Sequence, residues 1–174
     1  MNDLGKRDMD KQSAQRVRIE EMTIQDLEQV MAIEWVSFPT PWSEKMFRKE
    51  LNVSMSKNLV ARIETEEGRD LAGYVNYWIF AGESHLNNIA VRRDYRRKGI
   101  ASKLMAEMIR ESRKEGARRG TLEVRRSNHA AIGLYEKFGY VVKGMRPNYY
   151  DDTKEDGLIL WCDFGRSVPG GDGP

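Results

Sequence analysis

A carboxylate, an amide and a phenol stand close together in the run Leu122-Glu123-Val124-Arg125-Arg126-Ser127-Asn128 and its continuation to Tyr135. Glu123 lies in a strand-like stretch, residues 121–125. Its alternation puts Leu122 and Val124 on one face and Thr121, Glu123 and Arg125 on the other. Asn128 and Tyr135 are seven residues apart, so they share one face of the helix that follows. Acyl transfer to an amine needs the amine neutral, and an α-amino group has a pKa of about 7.7–8.0. A nearby carboxylate can take that proton directly or through water, and a phenol can supply one to a leaving group. Each residue also has an ordinary reading: a strand glutamate on a solvated face, and a helical tyrosine packed in the core with its hydroxyl at the surface.

The second chemical feature is Arg96-Arg97-Lys98-Gly99-Ile100-Ala101-Ser102, which follows the strand-like His85–Val91 through Arg92-Arg93-Asp94-Tyr95 and opens a long helix. A helix N-terminus exposes unpaired N–H groups and carries roughly half a positive charge. An anion gains from both where small residues such as Gly99, Ala101 and Ser102 let the backbone approach closely. Arg96, Arg97 and Lys98 add charge and donors. A basic run here could also be a solvated helix start, but each cation then sits at the end the dipole disfavours, at a cost of order 0.3–1 kcal/mol. A bound phosphate reverses that sign. The chain has neither a Walker lysine pattern nor G-x-G-x-x-G, which removes the nucleotide-hydrolase and Rossmann readings. A backbone N–H near Ile89 or Val91 could polarise a carbonyl of a bound ligand.

The elements that must hold these groups follow from the pattern. Residues 17–21 make a short strand. Thr23 and Asp26 form a capping box, and Leu27, Val30, Met31 and Glu34 follow at helical spacing. Phe38-Pro39-Thr40-Pro41-Trp42 breaks that helix, and Ser43 caps a second one to Leu51. Residues 58–63, 71–80 and 85–91 are strand-like, separated by turns at 66–70 and 81–83. Ile100, Leu104, Met105, Met108 and Ile109 form the apolar stripe of the strongest helix, with Gly116 at its C′ position. A helix capped by Ser127 or Asn128 ends before Gly139. Strands at 140–145 and 158–164, joined by a polar loop, close an α/β layout with a mixed, mostly antiparallel sheet flanked by helices.

Composition is consistent with one globular domain. The 174 residues are 40% hydrophobic and 32% charged, with a formal net charge of +2, so bulk charge does not argue for nucleic acid. Cys162 is the lone cysteine, and His85 and His129 are the only histidines, without ligand spacing, so no metal site is expected. Residues 1–15 read as a flexible polar extension, 16–165 as the domain and 166–174 as a flexible Gly/Pro-rich tail. No apolar run reaches a membrane span and the first residues lack a signal-peptide core, so a cytoplasmic protein is expected.

Arg96-x-x-Gly99-x-Ala101 at a helix head, after Asn88-Ile89-Ala90-Val91, resembles the acetyl-CoA-binding motif of the GNAT acetyltransferases. The resemblance implies that the backbone of Arg96, Arg97, Lys98, Gly99, Ile100, Ala101 and Ser102 holds the pyrophosphate. It also implies that Ile89, Ala90 and Val91 pair with the pantetheine amides as a sheet edge pairs with an added strand. Ala101 stands where glycine is common, which keeps the site small. The run Leu122-Glu123-Val124-Arg125-x-Ser127-Asn128 and on through Leu134-Tyr135 to Gly139-Tyr140 is similar to that of the RimI-type ribosomal-protein-alanine N-acetyltransferases. By that resemblance Glu123 is the general base, Tyr135 the general acid, and Asn128 a CoA contact. Phe38 to Ser43 is similar to the loop shaping the peptide site, and Arg146-Pro147-Asn148-Tyr149-Tyr150 to a substrate-side loop, which makes Trp42 and Tyr149 substrate-binding candidates. Either aromatic could equally be a packing or surface residue.

The expected activity is acetyl transfer from acetyl-CoA to a protein's N-terminal α-amino group, with the N-terminal alanine of a small-subunit ribosomal protein as the implied acceptor and a monomer or weak dimer as the working form. A lysine side chain or a small amine is the alternative acceptor. A ribosome- or RNA-binding module built on Arg92, Arg93, Arg96, Arg97, Arg118, Arg119, Arg125 and Arg126 is a remote third reading. Aromatics are not interleaved with these arginines as stacking platforms require.

Overall fold

Alternation along the central strands divides the chain's apolar residues between two faces of one sheet. Leu59, Ala61 and Ile63 point into one cluster, with Leu104, Met105 and Met108; Val60, Leu71 and Tyr74 point into the other, with Val30, Ile33 and Phe47. A computed structural model describes residues 16–66 and 68–165; the expected extension and tail lie outside the described residues. The elements run β1 (Val17–Glu21), α1 (Leu27–Ser37), α2 (Glu44–Glu50), β2 (Ser56–Thr65), β3 (Gly68–Phe80), β4 (Glu83–Val91), α3 (Ile100–Lys114), β5 (Arg119–Arg125), α4 (His129–Lys137), β6 (Val141–Tyr150) and β7 (Glu155–Asp163). The seven strands form one sheet in the order β1-β2-β3-β4-β5-β7-β6. α1 and α2 cover one face, and α3 and α4 the other.

The expected stripe on α3 is the centre of the larger core, with Ile100, Leu104, Met105, Met108 and Ile109 all buried. Each such side chain contributes about 1.5–3 kcal/mol by leaving water. Gly116 ends the helix at φ +86, the left-handed conformation expected at that position. Before α1, the Thr23 N–H donates to Asp26 Oδ2 (2.8 Å), and Asp26 also pairs with Arg62 of β2, which ties the entry of α1 to the sheet.

Every strand pair is antiparallel except β4 with β5. That parallel ladder runs only from Glu83↔Arg119 to Leu86↔Leu122. The next residue, Asn87, is the extra residue of a bulge, since Asn76 pairs with Asn88 while Tyr77 pairs with Leu86. β4 thus keeps its pairing with β3 through Val91 but has no partner strand on its other side beyond Leu86, so a gap opens between the C-terminal halves of β4 and β5.

Several strand boundaries differ from expectation: β2 and β5 are longer than 58–63 and 121–125, β3 begins inside the turn expected at 66–70, and the change that bears on the site is at β6 and β7. β6 continues to Tyr150 and β7 begins at Glu155, so residues 146–150 belong to a strand and the polar loop expected between 145 and 158 shrinks to residues 151–154. The ladder slips between Arg146 and Tyr150, where Pro147 offers no N–H and Asn148 sits at φ +52, and it resumes with Tyr150↔Glu155.

Candidate active site

Glu123 is positioned by the parallel seam. His85 lies opposite Thr121, so the residue two along from Thr121 on the same face is its diagonal neighbour, and His85 Nε2 stands 2.9 Å from Glu123 Oε2. Arg146 of β6 approaches the other carboxylate oxygen, at 3.5 Å. The His85 hydrogen bond holds the Glu123 carboxyl below its ordinary range against the upward push of burial, with the charges of His85 and Arg146 assisting. The face that alternation alone left open to solvent is therefore largely covered, and the Glu123 side chain keeps 13% of its exposure.

Tyr135 projects from α4, is buried, and packs its ring 6.2 Å from that of Tyr140. Burial raises its pKa well above the ordinary phenol value, so the hydroxyl stays protonated at neutral pH. Asn128 is the N-cap of α4, its side-chain oxygen accepting from the Ala131 N–H at 3.2 Å. Glu123 and Tyr135 open on one cleft of about 240 Å³, together with Trp42, Asn88, Ile89 and Tyr150. The cleft lies where β4 and β5 part.

Trp42 enters from the α1–α2 loop, its ring 5.3 Å from Phe47. Tyr149 does not line the cleft. It is 42% exposed, packs over Gly157 and meets the edge of Tyr150, which does line it. Arg125 holds Tyr150 there: its guanidinium lies 4.0 Å from the ring centroid and pairs with Asp152 at 2.7 Å. Sequence reasoning missed Tyr150, His85 and Glu34. The signal for Glu34 was a carboxylate at a position of the α1 spacing that belongs to the core.

At the other end of β4, α3 starts at Gly99 with φ +78, with no side-chain cap and no acidic residue in its first turn. Arg97 also takes a positive φ, of 65°. The N–H groups of the first turn thus have no side-chain cap and lie beside a basic run, as an anion site requires. The basic side chains have distinct partners. Arg96 donates to the Val91 carbonyl (3.0 Å) and the Ser37 hydroxyl (3.3 Å), while Lys98 lies over the Tyr95 ring. Ile89, Ala90 and Val91 connect this turn to the cleft along the unpaired side of β4. Several arginines of the nucleic-acid reading are engaged within the protein: Arg92 with Asp70, Arg119 with Glu83 and Arg125 with Asp152. Among the described residues no cluster of metal-ligating side chains occurs, and no helix is long and apolar enough to cross a membrane.

Comparison with known proteins agrees with this architecture. The model of the acetyltransferase (GNAT) family matches residues 27–140, more than half of the chain. The chain is 36% identical over 146 residues to a putative [ribosomal protein bS18]-alanine N-acetyltransferase of Bacillus subtilis (strain 168), covering 84% of this chain and 95% of that one. It is 36% identical over 142 residues to the [ribosomal protein bS18]-alanine N-acetyltransferase of Escherichia coli (strain K12), covering 78% and 89%. The crystal structure of the ribosomal-protein-S18-alanine N-acetyltransferase from Escherichia coli superposes with a TM-score of 0.77 at 32% identity, over 89% of this chain and 98% of that one. The chain belongs to the GNAT family and is an acetyl-CoA-dependent N-acetyltransferase.

Proposed function

We propose that this enzyme acetylates the N-terminal α-amino group of a protein, with the N-terminal alanine of a small-subunit ribosomal protein as its acceptor. The relatives named for that reaction match nearly their whole length, and the observation that carries the reading is the cleft. A carboxylate and a protonated phenol line one cleft beside the gap that a donor arm would bridge.

In this reading the backbone from Arg96 to Ser102 takes the pyrophosphate of acetyl-CoA, and the free side of Ile89, Ala90 and Val91 takes the amides of its arm. Asn128, at the head of α4, contacts the CoA. The amine enters past Trp42 and Tyr150, with Tyr149 bracing Tyr150 from behind. Glu123 takes the amine's proton, and His85 supports the carboxylate. The amine nitrogen bonds to the thioester carbonyl carbon, the carbon–sulfur bond breaks, and the departing thiolate takes the Tyr135 proton. Electrons and protons balance without a metal. The domain proper is residues 16–165. Mass spectrometry of alanine-initiated peptides incubated with enzyme and acetyl-CoA tests the reading: acetyl on the α-amino group supports it, and acetyl only on lysine or free polyamines contradicts it.

A further inference from the structure

A second carboxylate stands on the cleft wall and takes no part in the chemistry above. Glu34 of α1 is fully buried, beside the apolar Val30 and Ile33. Four hydrogen bonds converge on it from three separate elements. The Trp42 N–H of the α1–α2 loop donates to Oε1 at 2.8 Å, Asn88 Nδ2 of β4 reaches both oxygens at 3.1 Å, and the Tyr74 hydroxyl of β3 donates to Oε2. No cation pairs with it among the described residues. Burial pushes its pKa up, against the hydrogen bonds from Tyr74, Trp42 and Asn88.

A buried carboxylate without a cation is costly, and an apolar side chain would fill this position in the core at lower cost. What Glu34 holds is therefore informative. Apart from the Trp42–Glu34 bond, the backbone of residues 39–42 makes no hydrogen bond to the rest of the described protein, and Pro39 and Pro41 have no N–H to give. Asn88 lies within the unpaired stretch of β4 beyond Leu86 and directly precedes Ile89. Tyr74 also supports the same loop, through the aromatic chain Tyr74–Phe47–Trp42 with centroid spacings of 5.5 and 5.3 Å. One carboxylate thus joins the loop bearing Trp42 to the strand bordering the donor path.

We propose that Glu34 is a positioning residue that fixes the Trp42 loop against Asn88 and so sets the affinity for the acceptor, a role that rests on Trp42 being an acceptor wall. The test compares Glu34→Leu, which keeps the bulk and removes the acceptor oxygens, with Glu34→Gln, which keeps one oxygen for the Trp42 N–H. Hydrogen–deuterium exchange at the Trp42 amide is followed together with KM for an acceptor peptide and for acetyl-CoA. In Glu34→Leu the amide exchanges faster by about tenfold or more, and the acceptor KM rises by about the same factor. The KM for acetyl-CoA stays within about twofold, and Glu34→Gln recovers most of both effects. Unchanged exchange in Glu34→Leu, or two KM values that rise together, overturns the proposal. Should Glu34→Leu fail to fold, Glu34→Asp, which withdraws the carboxylate by one methylene, carries the same comparison. The exchange measurement needs no acceptor. A wild-type enzyme that leaves N-terminal peptides unmodified therefore contradicts the acceptor assignment while the tether is still decided by exchange.

Discussion

His85 Nε2 and Glu123 Oε2 meet at 2.9 Å across the single parallel seam of the sheet, one strand pairing before β4 and β5 separate. The contact gives Glu123 a lowered pKa and leaves its carboxylate ionised at the mouth of the cleft. Glu123→Gln should lower kcat by about 10²–10⁴-fold, the usual contribution of a general base, while the affinity for acetyl-CoA changes by less than about twofold. His85→Ala removes the largest cause of the lowered pKa, so the acidic limb of the kcat/KM profile should move to higher pH. Titration calorimetry and rate profiles over pH check both. An acidic limb that stays in place in His85→Ala separates His85 from the base.

Tyr135 is held protonated by burial, so its phenol is available as a donor across the neutral range. Tyr135→Phe keeps the ring packed against Tyr140 and deletes the acid. We expect kcat to fall by about 10²-fold, with cooperative thermal unfolding retained. A Tyr135→Phe enzyme of unchanged kcat would remove the phenol from the reaction.

In the proposed reading the anion is held by backbone more than by side chains, because Arg96 and Lys98 have partners inside the protein. At Gly99 an added Cβ would meet nothing within 4 Å, so the cost of Gly99→Ala is conformational, about 1–2 kcal/mol at φ +78. Relaxation of that strain displaces the first turn of α3 and should raise KM for acetyl-CoA about tenfold. Arg97→Gly removes charge but suits the positive φ at that position, and should raise that KM less than Gly99→Ala does. The reverse order assigns binding to the guanidinium.

Tyr150 and Tyr149 are adjacent, but only Tyr150 lines the cleft. Tyr150→Ala should therefore raise the acceptor KM about tenfold, and Tyr149→Ala only about two- to threefold through the loss of edge support. Steady-state kinetics with a single peptide decides the order. Equal effects would place both rings against the acceptor.

Features that depend on local rules were readable from the residues alone. The stripe on α3, the Gly116 stop, the Ser43 cap, a cap at Ser127 or Asn128 (the structure uses Asn128) and the unpaired turn at Gly99 each follow from spacing within one element. Features that depend on strand register were not. His85 and Glu123 are brought together by a crossover through α3, which no local pattern reports. Residues 146–150 read as a substrate-side loop, which leaves Tyr149 and Tyr150 undistinguished; as part of β6 they alternate, and Tyr150 falls on the face of Arg146 and the cleft. Glu34 looked like one more residue in a helical spacing, because burial of a carboxylate is decided by partners on β3, β4 and the α1–α2 loop.

The proposed reaction is transfer of acetyl to a protein's α-amino group. Its most direct measurement is tandem mass spectrometry of two peptides incubated with the wild-type enzyme and acetyl-CoA. One has a free N-terminal alanine and an internal lysine, and the other has the same sequence with its α-amine blocked. The expected product is a single acetyl group on the alanine nitrogen of the first peptide and none on the second. Acetyl on the lysine of the blocked peptide, with the free α-amine untouched, would contradict it.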